Sequence, residues 1–160
     1  MRTHKPTPDH ILEIGYAYWK SKTLLSAVEL DLFTVLAQGP LDCDQLTGRL
    51  GLAGRQARDF FDALVSLDLL VRDIAGHYAN TSETEAYLSR GSSTYIGGAL
   101  ALQNASGYQS WGALTAALRS GAPKKMRRSM MDSRRFVLIR PLWKRSLAGC
   151  GAESFCLRRP

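Results

Sequence analysis

The sequence contains few cysteines and no long apolar run. No window approaches the roughly 18 apolar residues that a membrane-spanning helix requires, and the opening MRTHKPTPDH has no segment of signal-peptide length. The three cysteines, Cys43, Cys150 and Cys156, do not have the spacing of a zinc site. We therefore expect a cytoplasmic protein with free thiols, no metal site and no membrane span.

The net charge of +7 is distributed unevenly along the 160 residues. Residues 1–123 carry 10 Lys/Arg and 12 Asp/Glu, a balance of −2, whereas residues 124–160 carry 11 and 2, a balance of +9. The body of the protein is therefore mildly acidic, which argues against a general affinity for nucleic acid. We expect one domain over residues 1–123, followed by a basic tail over residues 124–160.

The first predicted helix, from Thr7-Pro8-Asp9 to about Leu30, carries apolar side chains on two sides. One apolar side is enough to pack a helix on its own domain, so the second side favours a subunit interface, with burial inside its own domain as the alternative. The residues considered for this interface are Ile11, Ile14 and Tyr18 on one side, Leu12, Tyr16 and Trp19 on the other, and Leu24, Leu25 and Val28 further along.

The next segment has the outline of a winged helix. A short helix from Leu32 is followed by a second, for which Asp42 and Gln45 have the spacing of a capping box. A third helix, at about residues 55–67, has a wide apolar face and would be the recognition helix. Short strands at residues 69–72 and 77–79 would then form a two-stranded wing around Gly76.

Two more helices are predicted after the wing. Ser82 and Glu85 have the spacing of a second capping box, for a helix that ends near Gly91. A longer helical stretch, rich in alanine and leucine, covers about residues 93–119. The sequence therefore predicts a mainly α, winged-helix-like domain, followed by an irregular basic C-terminal tail.

The third helix of a DNA-reading winged helix normally exposes unpaired cationic or amide side chains. Here Arg55 and Arg58 each precede an aspartate by four residues, which places Asp59 and Asp62 where a phosphate would approach. In the wing, Arg72 is followed at once by an aspartate. We therefore expect no direct DNA reading, and a small winged-helix transcription regulator is kept only as the alternative function.

Four segments in order carry a family resemblance: SKTLLSAVELDLFTVLAQGPLDCDQL, RDFFDALVSLDLLVRDIAGHYANTSETEAYL, STYIGG and WGALTAALRSGAP. Together, over about residues 10–123, they resemble the N-terminal dimerisation domain of S-adenosylmethionine-dependent O-methyltransferases of the caffeate and acetylserotonin type. One departure is Asp68, where that family commonly has glycine. Aspartate tolerates a left-handed backbone better than most residues, so the turn is expected to persist.

The resemblance implies that the winged helix is a scaffold and that the first helices of two subunits intertwine. It implies a homodimer, or a heterodimer with a full-length methyltransferase. It also implies that a separate Rossmann-like domain binds S-adenosylmethionine and that an aromatic side chain in GYQSWG faces the acceptor substrate. Tyr108 and Trp111 are the candidates for that role, with helix packing as the alternative for both.

The chain lacks the glycine-rich turn after a strand that a Rossmann-like cofactor site requires. Gly149-Cys150-Gly151 follows a basic stretch and has Ser154 in place of a third glycine. None of the three histidines, His4, His10 and His77, matches the position of the family's general base. We therefore expect no catalytic residue, no cofactor bound by this chain, and self-association without catalysis.

The family pattern stops near Lys124, where the composition changes. Loss of the reading frame is the favoured explanation for residues 124–160. A selected basic tail that binds RNA or a membrane surface is the alternative, since paired arginines permit it. DNA sequence across codons 120–130 separates the two explanations.

Overall fold

The computed structural model describes residues 6–53 and 56–121, so Arg55 and the basic tail lie outside the described residues. Within them the protein is mainly helical with one two-stranded sheet, which confirms the predicted fold class. The elements are α1 (Asp9–Glu29), α2 (Leu32–Leu36), α3 (Cys43–Arg49), α4 (Gln56–Ser66), β1 (Leu70–Arg72), β2 (Tyr78–Asn80), α5 (Ser82–Leu88), α6 (Gly97–Leu102), a π-helical turn (Gln103–Gly107), α7 (Tyr108–Trp111) and α8 (Leu114–Ser120).

Helix α3 begins as the sequence predicts, whereas α1 does not. Asp42 Oδ1 accepts a hydrogen bond from the Gln45 N–H at 2.8 Å, and Gln45 Oε1 accepts one from the Asp42 N–H at 3.2 Å, so the capping box is complete. For α1 the cap position is Pro8, not Thr7, and no side chain caps it. The first turn of α1 therefore relies on Asp9 and the helix dipole alone.

The predicted capping box of α5 is wrong by one residue. The cap is Thr81, whose hydroxyl accepts from the Thr84 N–H at 3.2 Å, while the Thr81 N–H donates to the Thr84 hydroxyl at 2.9 Å. Thr84 is also buried and donates to the Leu69 carbonyl at 3.1 Å. Because this tertiary bond fixes Thr84 inside the fold, Ser82 and Glu85 are left in the first turn of the helix, outside the cap.

The wing follows α4 and lies within one residue of its predicted position. Strands β1 and β2 are antiparallel, with Val71 opposite Ala79, and Gly76 supplies the positive φ of 92° in the connecting turn. A β-bridge between Leu41 and Tyr78 ties the wing to the segment before α3. The wing is therefore fastened to the helical core along its second strand.

Asp68 occupies the turn between α4 and β1 in a left-handed conformation, with φ of 56°. This is the position where the family resemblance predicts glycine. Its N–H donates to the Val65 carbonyl at 3.0 Å, so the turn is closed by a backbone bond although a Cβ is present. The expectation that aspartate would preserve this turn is confirmed.

The core lies where α2, α3, α4 and the wing meet. Its largest fully buried side chains are Phe33, Phe61, Leu64 and Tyr78, and the rings of Phe61 and Tyr78 lie 5.4 Å apart, centroid to centroid. Phe60, next to Phe61 on α4, is only partly buried and packs on the edge of this cluster. The apolar face predicted for α4 is thus the side that joins the helices to the wing.

The chain divides into two compact units after Gln109. The helical stretch predicted over residues 93–119, with interruptions at Gly97-Gly98 and Gly107, is divided in the structure: α6 begins at Gly97, the π-helical turn ends at Gly107 and α8 restarts at Leu114. Glycines at 107 and 112 weaken the helix at two of these points. The Ser106 hydroxyl also donates to the Leu102 carbonyl at 2.9 Å, a bond that accompanies helix distortion.

Candidate functional site

The first half of α1 is exposed on every side. All thirteen residues from Asp9 to Ser21 are exposed, a length of about 20 Å at 1.5 Å per residue. Among them are six large apolar or aromatic side chains with exposed fractions between 45% and 73%: Ile11, Leu12, Ile14, Tyr16, Tyr18 and Trp19. No other element of the described chain covers these residues, which is unusual for an apolar segment of this size.

The aromatic side chains of this exposed half contact one another. The Tyr16 and Trp19 rings stack with centroids 4.6 Å apart and planes inclined by 24°. Tyr18 meets the same indole edge to face, with centroids 5.8 Å apart. Trp19 therefore connects the two apolar sides of α1 into one continuous aromatic surface.

The second half of α1 belongs to the chain's own core. Leu25 and Val28 are buried at 7% and 5% exposure, and Leu24 packs against the core from its edge. This part of the helix contacts α2, α4 and α6, which cover the side that these three residues present. Leu24, Leu25 and Val28, the further candidates for the interface, are thus buried or partly buried within their own chain, and the exposed apolar side chains of α1 lie in its first half.

Tyr108 is partly buried beside a polar network that the sequence did not predict. Lys22 Nζ lies 5.6 Å from the centre of the Tyr108 ring and donates to Asn104 Oδ1 at 2.7 Å. The Asn104 amide in turn donates to a Glu29 carboxylate oxygen. This network fastens the π-helical turn to α1 and fixes the tyrosine ring next to an ammonium group.

Trp111 lies in the second compact unit, whereas Tyr108 lies in the first. Its indole is 65% exposed, and the nearby Leu118 is 61% exposed. Both residues are therefore available to contact other groups, and the two alternatives for Trp111, a place in the substrate pocket or helix packing, stay open.

The wing and α4 are joined by a buried tyrosine and a carboxylate. The Tyr78 hydroxyl donates to Asp62 Oδ1 at 2.7 Å, and Arg72 Nη1 lies 3.5 Å from the same oxygen. The Arg72 guanidinium also lies 5.3 Å from the centre of the Tyr78 ring. Burial, and then the neighbouring carboxylate, raise the pKa of Tyr78 to about 12, because both disfavour the phenolate.

Tyr78→Phe tests this junction. Removing the hydroxyl leaves the Asp62 carboxylate with one donor fewer, which should lower the free energy of unfolding by about 1–3 kcal/mol at pH 7. Because folding raises this pKa above its unfolded value near 10, the stability it contributes is present below about pH 10 and is lost between pH 10 and 12. Urea unfolding at pH 8 and pH 11.5 measures both effects, and an unchanged pH dependence in the variant would contradict the assignment.

The wing arginine is paired within the domain, whereas a DNA reader normally leaves such a cation free for a phosphate. Arg72 Nη1 lies 3.5 Å from Asp62 Oδ1 on α4. Asp73 instead accepts from the His77 backbone N–H at 2.8 Å, a bond that lowers the pKa of its carboxyl. The wing thus directs its arginine toward its own α4 and presents a carboxylate in its turn.

The described residues contain neither a cluster of metal ligands nor the parallel sheet of a Rossmann-like cofactor site. Across residues 6–53 and 56–121, no group of three His, Cys, Asp or Glu side chains could hold a metal ion. The sheet in this part of the chain is the antiparallel wing, and β2 continues into α5 without a glycine-rich turn, which does not fit S-adenosylmethionine. No helix in the described part is long and apolar enough to cross a membrane.

A winged helix whose wing arginine pairs with a carboxylate of its own α4, joined to a helix that exposes aromatic side chains, is typical of a protein-association domain. Residues 12–90 match the O-methyltransferase dimerisation domain, and the chain belongs to this family. It is the dimerisation domain of the S-adenosylmethionine-dependent O-methyltransferase type. The family resemblance read from the sequence is therefore confirmed.

Two curated relatives show how much of such an enzyme the chain represents. It is 44% identical over 119 residues to the tetracenomycin polyketide synthesis 8-O-methyl transferase TcmO of Streptomyces glaucescens, covering 74% of this chain and 35% of that one. It is 40% identical over 111 residues to the N,N-dimethyltransferase OxyT of Streptomyces rimosus, covering 69% and 32%. The chain spans about a third of the length of these relatives.

A solved structure of human N-acetylserotonin methyltransferase in complex with SAM has the same fold over this region. It superposes with a TM-score of 0.68 at 28% identity and covers 76% of this chain and 37% of that one. These three relatives are methyltransferases, so they lend no support to the alternative function of a DNA-binding transcription regulator.

Proposed function

We propose that this chain self-associates through the exposed first half of α1 and supplies the dimer contact of a methyltransferase assembly. The observation that supports the proposal most directly is the exposure of Tyr16, Tyr18 and Trp19 on a helix that its own chain leaves uncovered. In an interface core, aromatic side chains are enriched and charged ones are depleted. The exposed half of α1 has this composition on its two apolar sides.

The energetics of burial agree with a stable dimer. Six partly exposed apolar side chains from each subunit would be buried, and at about 1 kcal/mol each they would contribute roughly 12 kcal/mol. The cost of association is estimated at about 4–15 kcal/mol, so the remaining affinity depends on how well the aromatic rings interlock. The stacked pair of Tyr16 and Trp19 is already ordered before association, which reduces that cost.

Catalysis would be carried out by a part of the assembly other than this chain. S-adenosylmethionine would be held by a Rossmann-like domain, as the family resemblance implies, and this chain alone would bind none. Tyr108, and Trp111 from the second unit, would contribute to an acceptor pocket completed by that domain. The partner would be a second copy of this chain or a full-length methyltransferase in the cytoplasm.

Light scattering of the purified chain over a concentration series tests the proposal. The expected result is a species of twice 17.7 kDa that dissociates on dilution. A monomer at all concentrations would contradict the proposal. Co-purification with a full-length methyltransferase carrying a different affinity tag measures the heterodimer independently.

A further inference from the structure

A groove lies between the second half of α1 and the beginning of α4, with a volume of about 340 Å³. We call it the α1–α4 groove. Its apolar lining includes Leu30 from α1, Leu52 from the segment before α4, and Ala57 and Phe60 from α4. Among the described residues that line it, Lys22 alone carries a charged side chain. A mostly apolar cleft of this size with a few polar groups has the character of a small-molecule site.

Lys22 brings to the α1–α4 groove a positive charge that no carboxylate neutralises. The side chain is partly buried, and its Nζ donates to Asn104 Oδ1 at 2.7 Å. The Glu29 carboxylate accepts from the Asn104 amide, and no ion pair within residues 6–53 and 56–121 includes Lys22. Lysines that leave the solvent are normally paired with an anion. An ammonium has three N–H donors, so two remain for a ligand.

A second donor lies one helical turn after Lys22. Ser26 is on the same side of α1, lines the α1–α4 groove and is partly buried. Its hydroxyl makes no hydrogen bond within the described part of the chain. Side chains four residues apart on a helix have Cβ atoms about 5–6 Å apart. The two oxygens of one carboxylate can therefore accept from the Lys22 ammonium and the Ser26 hydroxyl together.

The apolar wall of the α1–α4 groove determines what the rest of the ligand must be. Leu52 and Phe60 are partly buried and pack on the edge of the core, so each keeps apolar surface that a ligand could cover. The Phe60 ring also offers an aromatic surface for stacking. A small inorganic anion would leave this wall in contact with water, whereas a neutral apolar ligand would leave Lys22 unpaired. A flat apolar ring that carries a carboxylate satisfies both parts of the groove.

We propose that the α1–α4 groove is a binding site for an aromatic carboxylate. The ring of the ligand packs on Leu52 and Phe60, and its carboxylate accepts hydrogen bonds from Lys22 and Ser26. The residues from α1 that line this groove all follow Ser21, the last residue of the exposed half that the proposed dimer uses. The site is therefore separate from that surface.

Isothermal titration calorimetry of the purified 160-residue chain tests the proposal with two probes of the same shape, 2-naphthoate and the neutral 2-naphthamide. Because the hydrogen bond to Lys22 is charge-assisted only for the carboxylate, 2-naphthoate should bind at least about tenfold more tightly. Lys22→Gln should abolish this preference and leave the dissociation constant of 2-naphthamide within about twofold. Ala53→Trp places a large side chain in the groove at an exposed position, so it should prevent binding of both probes.

Two further variants separate the charge of Lys22 from its contribution to local structure. Lys22→Arg keeps the positive charge and should retain the preference for 2-naphthoate. Lys20→Gln is the matched control, since it makes the same change at an exposed lysine of α1 outside the α1–α4 groove. Its dissociation constants for both probes should equal those of the unmodified chain within about twofold.

Four results would overturn the proposal: no binding of 2-naphthoate, equal affinity for the two probes, a preference that persists in Lys22→Gln, or binding that appears only as the dimer dissociates. The third result would assign the anion to other cations, such as those of residues 124–160. The fourth would mean that a second copy of the chain covers the groove. A chain that is monomeric in light scattering but retains these affinities would instead contradict only the proposed dimer, so the two failures are distinguishable.

Discussion

Glutamate at both Tyr16 and Trp19 is expected to convert the proposed dimer of this chain into a monomer. The double substitution removes the stacked aromatic pair and places four carboxylates in the centre of the interface, two from each subunit. Burying unpaired charge costs several kcal/mol per ion, so the dissociation constant should rise by more than about a thousandfold. Sedimentation velocity over a concentration series measures this change directly.

The folded monomer should survive this double substitution. Tyr16 and Trp19 are about half exposed in the single chain and contribute nothing to its core. Val71→Glu combined with Ile74→Glu is the control, because these wing residues are 51% and 110% exposed and lie outside α1. If the wing variant dissociates while the α1 variant remains dimeric, the interface lies on the wing and the assignment to α1 is wrong.

Phe61→Ala is expected to lower the free energy of unfolding by about 3–5 kcal/mol. The ring is fully buried between α4 and the wing and lies 5.4 Å from Tyr78, centroid to centroid. Its removal leaves a cavity at the junction of the helices and the sheet, which a close-packed interior fills only in part. Chemical denaturation of the variant and the unmodified chain, at equal protein concentration, gives the difference.

Phe60→Ala provides a matched comparison, since it removes the same atoms one residue earlier on α4. Phe60 is only partly buried, so its loss should cost clearly less than that of Phe61. Equal losses for the two variants would contradict the assigned direction of the apolar face of α4. Measuring both at a concentration where the chain is fully dimeric keeps association from altering the comparison.

Local sequence patterns predicted the elements that local chemistry determines. The Asp42–Gln45 capping box, the turn at Gly76 and the left-handed Asp68 each depend on residues close in the chain, and each was predicted correctly. The cap of α5 was predicted one residue late because Thr84 bonds to the Leu69 carbonyl, a contact between distant residues. A capping pattern alone contains no information about such a contact.

The extent of the exposed surface of α1 was predicted only in part, for a similar reason. Periodicity shows that α1 has more than one apolar side, but it does not show where along the helix the core begins. That boundary is set by α2, α4 and α6, which cover Leu25 and leave Trp19 free. The network of Lys22, Asn104 and Glu29 was missed because it requires a π-helical turn, and no periodic signal marks one.

The exposed half of α1 also has a kinetic consequence. A helix of thirteen residues without packing is marginal in water, because nucleation is costly and few backbone bonds repay it. The core around Phe61 can form within a single chain, whereas in the proposed dimer the first turns of α1 gain their packing only when two chains meet. Folding should therefore proceed in two stages, a first-order collapse of the core followed by a second-order step in which α1 becomes fully ordered.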